Sequence, residues 1–160
     1  MKKRLVYATV LVVVIAPLAL QLVARMPPIP ENLGVRNGQL AACPASPNCV
    51  STRATDEQHA IEPVVFSGST ADAMARIQEA LAALPRVRIV TADGAYLHAE
   101  ATSRLFRFVD DVEFLYDEQN GVIHFRSASR VGHSDLGANR KRMEQFRKAW
   151  QRGADLPLGN

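Results

Sequence analysis

Most of the residue patterns that mark enzymes and metal proteins are missing from this chain. Its four histidines, His59, His98, His124 and His133, fall in no His-x-x-x-His or His-Glu-x-x-His spacing, and five residues rather than two separate Cys43 from Cys49. A helical zinc site and a Cys-x-x-Cys redox pair therefore both lack their geometry, and no metal or other cofactor is expected. Glycine-rich phosphate loops and a Gly-x-Ser-x-Gly elbow are absent too. His133-Ser134-Asp135 has the residue types of a triad, but adjacent side chains project apart, so the segment reads as a helix cap. Asp110 and Asp111, as strand neighbours, face opposite ways and cannot flank one bond. No catalytic residue is assigned. A single tryptophan, with aromatics at 6% and no interleaving of rings with basic residues, argues against nucleic acid as a partner. No internal repeat or low-complexity tract occurs.

What is present begins with length and charge. A chain of 160 residues, 48% hydrophobic and 22% charged, has room for one folded domain and an accessory segment. The net charge of +3 comes from the N-terminus, where Lys2, Lys3, Arg4 and Arg25 meet no acid; the remainder has 15 basic against 16 acidic residues. Residues 5–24 are broken only by Tyr7, Thr9, Pro17 and Gln21, and a helix of that length rises about 30 Å, enough to cross a bilayer core. Three basic residues before it and one after keep the N-terminus cytoplasmic. A signal peptidase prefers small residues at −1 and −3, and cutting after Ala24 would put Leu22 at −3, which favours a retained anchor. The expected organisation is a transmembrane signal anchor over 1–25, a Pro-rich linker over 26–37 containing Met26-Pro27-Pro28-Ile29-Pro30, and an extracytoplasmic domain over 38–160. The protein is expected in the inner (cytoplasmic) membrane, single-pass, with its C-terminal domain periplasmic. In that oxidising setting Cys43 and Cys49 are expected to bridge across the turn-rich Pro44-Ala45-Ser46-Pro47-Asn48, contributing about 2 kcal/mol; free thiols, or metal or redox use, are the alternatives.

Periodicity places the elements. Pro63-Val64-Val65-Phe66 reads as a short strand, and Ser69 as the N-cap of a helix whose stripe is Met74, Ile77, Leu81 and Leu84. Runs 86–91 and 96–102 flank Asp93-Gly94 as a hairpin. Phe106, Phe108, Val112, Phe114 and Tyr116 share one strand face, with a break expected at Asp110, and Asn120-Gly121 marks a second hairpin. A last helix starts near Ser134 or Asp135 with Leu136, Met143, Phe146 and Trp150 as its buried stripe. Over residues 136–152 it has a net charge of +5, suited to its own domain's acidic surface, to anionic headgroups or to solvent. Grouped strands with a helix at each end predict an α+β fold, an antiparallel sheet of about five strands with two helices on one face, preceded by the transmembrane helix.

A two-residue turn at Asn120-Gly121 pairs residues whose numbers sum to 241, which sets Asp111 against Arg130 and puts Glu113 diagonal to Arg126 and Arg130. Arg107 continues this face. Such residues form a solvated ladder of ion pairs, a protein interface, or a shallow site in which Arg104, Arg107, Arg126 and Arg130, with Asp111 and Glu113, receive a carboxylate or phosphate.

Four blocks carry a resemblance: residues 43–50 (CPASPNCV), 96–100 (YLHAE), 103–114 (SRLFRFVDDVEF) and 126–140 (RSASRVGHSDLGANR). Together they resemble the bacterial and plant family called domain of unknown function 1499, over about residues 40–150. The resemblance implies that the cysteine loop and the Arg/Asp/Ser blocks belong to the family pattern; it brings no activity with it. The expectation is a membrane-anchored envelope module that binds an anionic small molecule or an envelope protein through the charged face. An envelope enzyme, hydrolytic in type with Ser134 or His133 near that face, and a structural partner of a membrane complex are the other readings.

Overall fold

The computed structural model describes residues 29–154; the expected transmembrane segment lies outside the described residues. The elements are β1 (Cys49–Ser51), β2 (Val64–Val65), α1 (Thr70–Ala82), β3 (Val87–Asp93), β4 (Tyr96–Thr102), β5 (Val109–Asp117), β6 (Val122–Ser129) and α2 (Ala138–Ala154). The fold is α+β with one antiparallel sheet, in the order β1-β6-β5-β4-β3. β2 pairs with β6 as well, at Val64–Ile123, so two short strands share one edge end to end and the sheet has six strands rather than five. Among the described residues no helix is long and apolar enough to cross a membrane.

Alternation along β5 and β6 divides the sheet into two faces. Val112, Phe114 and Tyr116 face the helices and lie opposite Ser127, Phe125 and Ile123. Phe146 of α2 stacks on Phe114 at 4.7 Å and on Phe125 at 5.8 Å between ring centroids, and Ile77 and Leu81 of α1 join the same buried cluster. Ser69 caps α1, its hydroxyl accepting from the Asp72 N–H and donating to the Asp72 carboxylate. That exchange satisfies a donor that would otherwise be orphaned at the helix start.

Three local expectations are corrected. The β5–β6 register sums to 239, because the loop comprises four residues, 118–121, and Asp117 folds back to accept from the Asn120 backbone and side chain. A shift of two preserves which residues share a face. The chain break falls at Arg107, which is left-handed at φ 61°, and not at Asp110, so Phe106 and Phe108 belong to the β4–β5 connection. Leu136 is 97% exposed and stands before the helix. Asp135 accepts from the Gly137 and Asn139 N–H groups, Gly137 turns left-handed, and α2 begins only at Ala138.

Candidate functional site

The face of the sheet turned away from the helices is ionic and buried. Glu113 of β5 lies opposite His98 of β4 and Arg126 of β6, and Asp111 lies opposite Glu100. Arg126 Nη1 donates to Glu113 Oε2 at 3.0 Å, and Tyr96 donates its hydroxyl to Oε1 at 2.9 Å. Arg130 makes a two-pronged contact with Asp111 at 2.9 and 2.7 Å and reaches Glu100 at 2.6 Å; His98 Nε2 contacts Asp111 at 2.8 Å. Arg88 holds the other oxygen of Glu100. The segment before β1 covers this face: the Gly34 N–H donates to Glu113 Oε1 at 2.8 Å, Leu40 is buried, and Cys43 is bridged to Cys49. The disulfide expected from the sequence is present.

Burial alone would push the Asp111 carboxyl up, but hydrogen bonds from Arg130 and His98, together with their charges, outweigh it and hold Asp111 below its ordinary value. Glu100 is held down in the same way by Arg130 and Arg88. Tyr96 moves the other way, since burial and then the Glu113 charge both disfavour the phenolate. A carboxyl with a depressed folded value contributes stability that is complete above its unfolded value, here near 3.8 for Asp111 and 4.5 for Glu100, and that is lost as pH falls through the folded value. The midpoint of urea unfolding is therefore expected to drop steeply below pH 4.5, and Arg130→Met should flatten that drop. An unchanged acid limb in the variant would mean that these two carboxylates are not under Arg130's control.

The structure thus brings Asp111, Glu113, Arg126 and Arg130 together, each carboxylate with an arginine of its own. Arg104 and Arg107 stand apart, exposed on the β4–β5 connection. Arg104 instead lines a cleft of about 340 Å³ between that connection and the start of α2, with Arg86, Lys141 and Arg142 as its other cations. Asp110 lies there too, buried and held by Arg142 Nη2 at 2.6 Å. Arg142 also donates to Asn139 and Ser127, and Arg86 Nε to the Thr102 carbonyl. Among the described residues the side chains of Arg104 and Lys141 make no ion pair. Once Asp110 is set against Arg142, three positive charges remain around the opening.

Below the cleft, Asn139 is fully buried and joins three elements. Its amide donates to the Asn48 carbonyl and the Ser129 hydroxyl and accepts from Ser127 and Arg142. Sequence reasoning missed the Asn139 side chain, Arg86 and Lys141 as part of a site, and also His98, Tyr96 and Glu100. The last three were within reach, since Tyr96, His98 and Glu100 alternate along β4 and so share one face.

A family model described as a protein of unknown function, DUF1499, matches residues 39–150. No curated protein and no solved structure matches the chain.

Proposed function

The chain belongs to the DUF1499 family, whose pattern takes in the sheet and most of both helices, and from that premise we propose that it is a membrane-anchored envelope module that binds an anionic ligand. The ligand carries a phosphate or carboxylate and is received in the cleft between the β4–β5 connection and α2. One observation carries this reading: Arg104 and Lys141, which make no ion pair among the described residues, line one open cleft with Arg86. Guanidinium forks recognise such oxyanions in two-pronged geometry, and an unpaired cation beside a cleft has no internal partner to surrender on binding. Within the buried set of Asp111, Glu113, Arg126 and Arg130 each carboxylate already has its own arginine, and Glu113 ties the N-terminal segment to the sheet through the Gly34 N–H. Membrane attachment is supported by the apolar run over residues 5–24, and the excess of basic residues before that run over those after it supports a periplasmic domain.

The test is the melting temperature of the full chain in detergent against rising inorganic phosphate, with chloride matched for ionic strength. At about a hundredfold excess over the dissociation constant, binding adds about 2.7 kcal/mol, or roughly 5–10 °C for a domain of this size. Arg104→Ala combined with Lys141→Ala should remove the response while leaving the unliganded melting temperature in place. A wild-type curve that follows chloride as closely as phosphate would overturn the reading.

A further inference from the structure

Two leucines close in sequence to residues that line the cleft are exposed by the fold instead of buried. Leu136 is 97% exposed and Leu105 is 69% exposed. Leu105 follows the lining residue Arg104, and Leu136 comes two positions before the lining residue Ala138. Scattered exposed leucines need no explanation, but these two carry further features. Leu136 is held left-handed at φ 54°, a conformation unfavourable for a residue with a branched side chain, so backbone strain presents an apolar group to solvent. Arg107, in the same loop as Leu105, is left-handed as well, and the rings of Phe106 and Phe108 in that loop lie half-exposed, 5.8 Å apart. Strain thus falls in each of the two segments that flank the cleft in sequence, and in each it presents a side chain outward.

Their composition selects the partner. Apolar tips near the cleft's Arg86, Arg104 and Lys141, with the exposed Arg107 in the same loop as Leu105, match a surface with hydrocarbon just beneath a layer of negative charge, where arginine and lysine stems lie along the acyl boundary and their heads meet phosphate. Chain length agrees. A span ending at residue 24 leaves ten residues to Gly34, which is fixed to the sheet by Glu113; that interval reaches at most about 35 Å, so the domain stays close to the lipid surface. We infer that the 103–108 loop and Leu136 dock the domain on an anionic bilayer, with the leucines inserted at the acyl boundary and a lipid headgroup phosphate seated in the basic cleft. This inference rests on the reading of the cleft as an anion site and names the bilayer headgroup as the anion's source.

Because both native cysteines are bridged, a single added cysteine can report position. Leu105→Cys and Leu136→Cys, each labelled with an environment-sensitive fluorophore in the full chain, are reconstituted into phosphatidylglycerol/phosphatidylcholine vesicles and into phosphatidylcholine alone. Gln119→Cys, on the exposed turn at the opposite end of the sheet, serves as the reference. The expected result is a blue shift and quenching by brominated lipid at positions 105 and 136 in the anionic vesicles, with neither at 119. Replacing Arg104 and Lys141 by Ala should lower the docking equilibrium constant, the ratio of docked to undocked domain, about fivefold for each charge removed. Leu105→Asp with Leu136→Asp, read through a probe at Phe106→Cys, should abolish docking while leaving the phosphate-induced rise in melting temperature intact. Equal quenching at 105, 136 and 119, or equal docking in both lipids, overturns the bilayer inference. If the phosphate response persists in that case, the cleft still binds a soluble anion; if it vanishes too, both readings fail.

Discussion

Glu113→Ala is expected to destabilise the domain by about 3–5 kcal/mol, the range found when one partner of a buried ion pair is removed. The reason lies in what remains. Arg126 is buried and its Nε already lacks a hydrogen-bond partner, so without Glu113 its charge would have neither water nor a carboxylate beside it. Tyr96 and the Gly34 N–H would lose their acceptor in the same step. Urea unfolding of the full chain in detergent gives the magnitude, and limited proteolysis gives the place: cleavage should appear first in the segment before β1, since Gly34 is that segment's tie to Glu113. The double replacement Glu113→Leu with Arg126→Met removes both charges and fills the space with apolar atoms, and it should recover most of the loss. If Glu113→Ala proves as stable as the parent, water must reach Arg126, and the covering segment is not the seal described above.

The sequence revealed this face before the structure did, though only its parity. Alternation placed Asp111, Glu113 and Arg126 on the side away from Phe114 and Phe125, and that assignment survives the register error because a shift of two moves no residue across the sheet. The pairing itself depended on the loop. Asn120-Gly121 suggests a two-residue turn, whereas Asp117 captures the Asn120 amide and lengthens the loop to four residues. Burial of the face was not legible, because its cover is residues rich in glycine, proline and polar groups with neither the 2 nor the 3.6 period. β1 escaped notice for a related reason, since three residues are too few to show alternation and its pairing with β6 is long-range. Leu136 was misplaced because periodicity finds the stripe of a helix more reliably than its first residue, and the start of α2 is set by Asp135 and Gly137 acting on the backbone. Among the expected ligand residues, Arg104 moved to a different setting for want of one fact: the chain turns at Arg107 before β5 begins, carrying Arg104 off the sheet.

Asn139→Leu should be the second costly change, at about 3 kcal/mol or more, although it conserves approximate size and adds hydrophobicity. The site has no use for hydrophobicity. Asn139 satisfies four groups at once, the Asn48 carbonyl and the hydroxyls of Ser129 and Ser127 together with one prong of Arg142, and each buried polar group left without a partner costs about 1–3 kcal/mol. Arg142 Nη1 would keep Ser127, and its Nη2 would keep Asp110, so part of the network holds and the total stays below the sum of its parts. Asn139→Asp separates polarity from shape: it retains the acceptor for Ser127 and Arg142 but cannot donate to Asn48 or Ser129, and its loss should fall between the parent and the leucine variant. Hydrogen exchange supplies the local readout. The amide of Ser129, bonded to the Asn48 carbonyl, and that of Lys141 in the first turn of α2 should lose protection before the Phe114–Phe125 core does. Loss of protection spread evenly across the sheet would instead make Asn139 an ordinary core contact. The consequence for binding follows from position, because Lys141 and Arg142 project from the turn that Asn139 pins. Phosphate stabilisation should therefore weaken in Asn139→Asp although every cation of the cleft remains.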